Sequence, residues 1–84
     1  MTRDQAFALI AAERDRQAAK WGGEHPWGHG DCSGDGVATA VKLAVLTEET
    51  GEVARAFLDG DGEGFRRELV QVAAVACAVL ESLP

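Results

Sequence analysis

Val41-Lys42-Leu43-Ala44-Val45-Leu46-Thr47-Glu48-Glu49-Thr50-Gly51-Glu52-Val53-Ala54-Arg55-Ala56 decides the fold. Apolar residues recur in it at steps of three and four, the spacing of a helix with an apolar side. Val41, Val45, Glu49, Glu52 and Ala56 follow one line; Leu43, Leu46, Thr50, Val53 and Phe57 follow another. The first line carries acids and the second carries bulk. Glu48, Glu49 and Glu52 fall within about one turn, where like charges oppose folding. A divalent cation removes that repulsion. A hard ion such as Mg²⁺ takes oxygen ligands and usually also holds substrate phosphates, so it suits carboxylates placed beside an apolar run.

Working outward, this helix is expected to run from about Val37 to Leu58. Asp59-Gly60-Asp61-Gly62 is a short break. Beyond it Phe65, Leu69, Val72, Val75, Ala76, Val79, Leu80 and Leu83 predict a further helix, apolar on most sides, with Glu68 and Gln71 near its start. A short connection makes the two helices antiparallel neighbours, which sets Glu49 and Glu52 opposite Glu68 and Gln71. Upstream, Thr2 to about Lys20 reads as a first helix, capped by Thr2 or Asp4, with Phe7, Ile10, Ala11, Arg14 and Ala18 along one side. Between the first two helices, Trp21 to Gly36 holds six of the ten glycines, Pro26, both histidines and both tryptophans. That composition predicts a long glycine-rich loop, of a length that is often functional in compact domains.

The 84 residues make one domain, residues 1 to 84, at a size where a single core is marginal. With 46% hydrophobic residues, only 6% aromatic and no tyrosine, the composition favours closely packed helices, so the expected class is all-α. A helical hairpin with one added helix covers its apolar surface poorly, and the economical remedy is pairing into a bundle of at least four helices. A formal charge of −6 argues against binding a nucleic acid polymer, whose partners need a basic face. Cys32 and Cys77 lack the density of a disulfide framework and the spacing of a metal site, so both are expected as free thiols. No secretory pattern and no long uncharged apolar run is visible, so a soluble, cytoplasmic protein without a membrane partner is expected.

Glu48-Glu49-Thr50-Gly51-Glu52 is an EExxE pattern, and Glu68-Leu69-Val70-Gln71 is a partial ExxD. Together with Glu13-Arg14-Asp15-Arg16-Gln17-Ala18-Ala19-Lys20-Trp21-Gly22 and the following His25, these segments resemble the short phage and bacterial members of the MazG-like, all-α nucleoside triphosphate pyrophosphohydrolases. The resemblance implies a homodimer or tetramer that cleaves a nucleoside or deoxynucleoside triphosphate between the α and β phosphates, with Mg²⁺ or Mn²⁺. It implies metal ligands at Glu49, Glu52, Glu68 and Gln71. Glu48, turned by about 100° on the helix from Glu49, is the candidate general base that orients the attacking water. Gln71 stands where the family pattern has Asp, which removes one negative charge from the set. The loop Pro26-Trp27-Gly28-His29-Gly30-Asp31-Cys32 also departs from the family, so substrate choice does not carry over.

Each of these residues also has a plainer reading. The acids of the long helix form a solvated face in many chains, and Glu68 alone would be a surface acid. Lys42, Lys20, Arg14 and Arg16 are candidate phosphate contacts or ordinary surface charge. Trp21 and Trp27 offer faces on which a base stacks, or they plug the open end of a bundle. His25 and His29 are candidate ligands whose glycine-rich setting favours loop hydrogen bonds. Cys77 reads as a small core residue. A non-catalytic helical module that dimerises or binds a nucleotide is the alternative function.

Overall fold

The computed structural model describes residues 1 to 84 and is built from three helices. Helix α1 spans Arg3–Trp21, α2 Thr39–Leu58 and α3 Gly62–Glu81. Two local signals set the ends of α1 and α3. The Thr2 hydroxyl accepts from Gln5 N at 3.1 Å while the Gln5 side chain accepts from Thr2 N at 2.8 Å, a capping box that satisfies donors at the start of α1. Asp61 caps α3 by accepting from Gly64 N at 2.9 Å, so this helix begins inside the tract read from the sequence as a break.

The turn between α2 and α3 is closed by Gly60, at φ +70, whose N–H donates to Phe57 O while Asp61 N donates to Ala56 O. A left-handed glycine just past a helix end reverses the chain within few residues. α2 and α3 are consequently packed neighbours, as the short connection required. Helix α3 also packs on α1, whereas α1 and α2 barely touch. The central helix is therefore α3, and the other two flank it with space left between them.

The segment from Trp21 to Gly36 is more ordered than its composition predicts. Glu24–His25 (β1) and Gly28–His29 (β2) form a two-stranded antiparallel hairpin, and Gly28 makes a further bridge to Val37. Gly28 has φ +148, and a Cβ added there would collide with the Gly36 carbonyl oxygen. A Cβ on Gly36 would collide with His29 O. Two chain segments cross here at backbone contact, which only glycine allows. Val37 is drawn into this crossing and is 3% exposed, so α2 begins at Thr39 and not at Val37.

Packing is thin. Only Val37, Ala56, Ala74, Val75 and Ala78 are buried apolar residues, and no large side chain is fully enclosed. The line that carries bulk on α2 leaves Leu43 54% and Phe57 70% exposed. On α1 the inward side is Arg14 and Gln17, while Phe7 faces solvent. Helix propensity and periodicity locate the helices but do not tell a face packed within the chain from one left open. No helix is long and apolar enough to cross a membrane.

Candidate functional site

Glu49 and Glu52 stand one turn apart on α2, and the antiparallel packing of α3 brings Glu68 across to meet them. One oxygen from each of the three carboxylates lies within 4.8 Å of the other two. Gln71, one turn beyond Glu68, completes the group: one end of its side-chain amide lies 2.8 Å from Glu68 Oε2 and 3.1 Å from Glu49 Oε2, and turned NH₂-first it donates to both. The four residues that sequence spacing placed opposite one another are thus in one cluster at the α2–α3 interface.

The electrostatics follow from crowding. Burial, and then the charges of Glu52, Glu68 and Glu48, push the Glu49 carboxyl up to about 7. Glu68 is raised as well, by burial and by its hydrogen bond with Glu52. Carboxyl groups held this close cannot all ionise cheaply without a compensating cation. The three carboxylates offer oxygen and carry three negative charges when ionised, which fits a hard divalent ion.

Beside the cluster lies a cavity of about 430 Å³, bounded by the end of α1, the hairpin segment, α2 and α3. It occupies the space that α1 and α2 leave between them. Glu48 and Glu49 stand at its edge, and Val41, Ala44 and Val45 of α2 supply apolar wall. Its aromatic side is Trp21, His25 and Trp27. The His25 ring is stacked on Trp27 at 4.9 Å between centroids and 5° between planes, and Trp21 is tilted against both at 5.5 and 6.4 Å. A hydrogen bond of 2.9 Å between His25 Nε2 and Trp21 O ties this group together.

Of the proposed phosphate and base contacts, Trp21 and Trp27 line the cavity and the four cations do not. Lys42 is 5% exposed and its ammonium donates to Gly34 O at 2.7 Å, so it braces the loop. Lys20 lies over the Trp21 ring, 4.8 Å from its centroid. Arg16 pairs with Glu13 on the same helix. Arg14 is 9% exposed and makes three side-chain contacts: Nε donates to Glu81 at 2.6 Å, and Nη1 to Asp31 at 3.1 Å and to the Gln17 oxygen at 3.2 Å. This guanidinium joins α1 to the loop and to the end of α3. Burial pushes the Asp31 carboxyl up, but hydrogen bonds from the Ser33 hydroxyl, the Ser33 N–H and Arg14 outweigh it and hold it below the usual range. His29 bonds Glu24 at 2.6 Å across the hairpin and contributes nothing to the cluster. Cys32 and Cys77 are both free, and burial followed by the Asp31 charge raises the Cys32 thiol.

Gln17 and Asp31 were missed by sequence reasoning. A glutamine inside a charged helical run reads as solvent-facing, and only the arginine three residues before it, at helical neighbour spacing, signals a partner. Compared with family models, curated proteins and solved structures, the chain has no match.

Proposed function

We propose that the chain is a metal-dependent nucleoside triphosphate pyrophosphohydrolase of the MazG-like kind, converting a nucleoside or deoxynucleoside triphosphate to the monophosphate and pyrophosphate. The observation that supports this reading is the convergence of Glu49, Glu52 and Glu68 within 4.8 Å, beside an aromatic-walled cavity that Glu49 also lines. Glu49, Glu52 and Glu68, with Gln71 through its amide oxygen once rotated, would hold Mg²⁺ or Mn²⁺. The ion, when bound, supplies positive charge against the triphosphate oxygens.

The chain's own residues do the rest. Glu48 is exposed at the cavity edge and adjoins the ligand set, so it accepts the proton of the water that attacks the α-phosphorus. The new P–O bond forms as the bond to the β-phosphate bridging oxygen breaks, and pyrophosphate leaves with the electron pair. Phosphoryl transfer relies on positioning and charge more than on covalent catalysis, so no serine or cysteine nucleophile is required. The cavity receives the nucleoside end of the substrate while the triphosphate reaches the acids.

Assembly belongs to the same proposal. Leu43, Thr47, Thr50, Ala54 and Phe57 form an exposed stripe on α2 at coiled-coil spacing. The hydroxyls of Thr47 and Thr50 are turned back onto Leu43 O and Leu46 O, which leaves their methyls outward. Such a stripe suits a homodimer or tetramer in which helices of two protomers complete a four-helix bundle. A reducing cytoplasm suits the two free thiols.

One observation favours the second reading, a non-catalytic helical or nucleotide-binding module. The Gln71 amide lies within hydrogen-bond distance of Glu49 and Glu68, and with its NH₂ end toward them it stabilises the cluster without an ion. The deciding experiment is Mg²⁺-dependent pyrophosphate release from a panel of nucleoside triphosphates, with Glu49→Gln as the control. Release by wild type and not by a folded Glu49→Gln protein is expected. Equal inactivity of both at high protein and metal concentration would leave the module reading.

A further inference from the structure

Gln17 has a free amide nitrogen in an unusual place. The residue is only 7% exposed and lines the cavity, yet its side chain has one partner, Arg14 Nη1, which donates to Gln17 Oε1 at 3.2 Å. A guanidinium has donors and no acceptor, so this contact fixes which end of the amide is the oxygen. Arg14 is held in turn by Asp31 and Glu81, and it does not itself line the cavity. The Gln17 oxygen is therefore taken up behind the wall, and the NH₂ group is the end left for whatever enters. No fully enclosed polar side-chain atom of the protein lacks a partner, so this donor is open to the cavity that Gln17 lines, where an entering ligand can accept from it.

The surroundings define the shape of that ligand. The cavity's volume lies within the range of small-molecule sites, and most of its lining is apolar, with the Trp21, His25 and Trp27 rings on one side. Flat rings with few polar edges suit such walls, because every heteroaromatic base has a π-face on which an indole stacks. Lys42 and Lys20, the nearest cations in sequence, are absent from the lining, so the cavity itself is no phosphate pocket. Phosphates belong at its acidic mouth, with their cation.

We propose that the cavity is a nucleobase pocket in which the Gln17 NH₂ group donates to the exocyclic atom at pyrimidine C4 or purine C6, so that it selects bases with a keto oxygen at that position (uracil, thymine, guanine, hypoxanthine) over those with an amine there (cytosine, adenine). The choice of a base as the flat ring rests on the nucleotide reading above. An amine meeting the fixed donor places N–H against N–H and leaves both unpaired. A site built around one buried hydrogen bond rejects the wrong partner far more strongly than an apolar pocket rejects a changed shape. Gln17 is in this view the specificity-determining residue, and Arg14 is a positioning residue that sets its orientation.

The test uses nucleosides, which lack phosphate, with no divalent ion present. Trp21 and Trp27 are the only tryptophans and the chain has no tyrosine, so its intrinsic fluorescence reports from the cavity wall itself. Uridine, thymidine, guanosine and inosine should quench it with dissociation constants at least about tenfold below those of cytidine and adenosine. Gln17→Met should erase that preference while stacking still quenches. Gln17→Glu puts an acceptor in place of the donor and should reverse the order. Absence of quenching by any nucleoside, equal affinity across the set, or a preference unchanged in either folded variant would overturn the proposal; if neither variant folds, the wild-type preference decides alone. The two readings fail separately. Selective nucleoside binding without pyrophosphate release would leave the pocket and remove the enzyme, and release indifferent to the base would do the opposite.

Discussion

Glu49 of α2 and Gln71 of α3 meet across the helix interface, with the Gln71 side-chain amide 3.1 Å from Glu49 Oε2, an approach that is a hydrogen bond when the NH₂ end is the one presented. A neutral donor thus stands among three carboxylates where an aspartate would add a fourth. It quenches part of the repulsion when no ion is present, and it has to turn its oxygen inward to ligate one. Gln71→Asp should therefore lower the melting temperature of the metal-free protein by several degrees, since about 1 kcal/mol corresponds to about 4 to 8 °C in a domain of this size. The same variant should bind Mg²⁺ or Mn²⁺ at least about tenfold more tightly by calorimetry, because it adds a charged oxygen ligand. A variant as stable as wild type and no tighter for either ion would separate Gln71 from the cluster.

The pH response of the metal-free protein follows from Glu49. Its carboxyl rises from an ordinary 4.5 to about 7 on folding, mainly through burial and then through Glu52, Glu68 and Glu48. The folded chain then binds more protons than the unfolded chain between those two values, so this group contributes most favourably below pH 4.5, and its contribution is lost as pH rises through about 7. Thermal melts in chelator should show this downward component between about pH 4.5 and 7, and it should vanish in Glu49→Gln. Adding Mg²⁺ should raise the melting temperature more at pH 8 than at pH 5, where protons compete for the same oxygens. An Mg²⁺ shift that is absent, or independent of pH, would count against a metal site here.

Arg14 offers a test of the frame around the cavity. Its guanidinium is nearly buried and serves Asp31, Glu81 and Gln17 at once. Removing one partner of a buried ion pair strands the other, at a cost of about 3 kcal/mol. Arg14→Met should therefore destabilise the protein by about that amount in urea unfolding, whereas Arg16→Met, which removes a half-exposed arginine from its pair with Glu13, should change stability by less than about 1 kcal/mol. Similar losses in the two variants would show that burial of Arg14 has no energetic weight.

The exposed stripe of α2 makes a prediction about mass. Leu43 and Phe57 are more than half exposed in the single chain, and a contiguous apolar surface of that kind marks an interface. Sedimentation should find dimers or tetramers at micromolar concentration, and Leu43→Glu with Phe57→Glu should shift the equilibrium to monomers. Wild type that sediments as a monomer at all concentrations would exclude the bundle.

Much of this arrangement can be read from the chain before it is folded. The three helices follow from apolar residues at steps of three and four, and the short Asp59 to Gly62 connection alone is enough to set Glu49 and Glu52 against Glu68 and Gln71. What escapes such reading depends on contacts between distant segments. The hairpin escapes because its two-residue strands have no periodicity to detect, and the crossing of Gly28 over Gly36 is visible only when both are placed. Arg14, Gln17 and Lys42 escape because charge and amide content mark them for solvent, and only tertiary partners (Asp31, Glu81 and Gly34 O) explain their burial. The bulky line of α2 was legible as apolar but not as outward, since a pattern records a face and not what covers it.

The central position of α3 divides the molecule by how independently its parts can open. The acids lie wholly within the α2–α3 hairpin, whose two helices share the most extensive packing in the molecule. The cavity, by contrast, exists only while the far end of α1 rests on α3 and carries Gln17 and Trp21 with it. Transient release of α1 would thus dissolve the pocket yet spare the carboxylate group. Amide exchange should accordingly be faster along α1 than along α3, and a captured ring should slow it selectively in α1. Ion binding and ring binding would then report on two different layers of the same small fold.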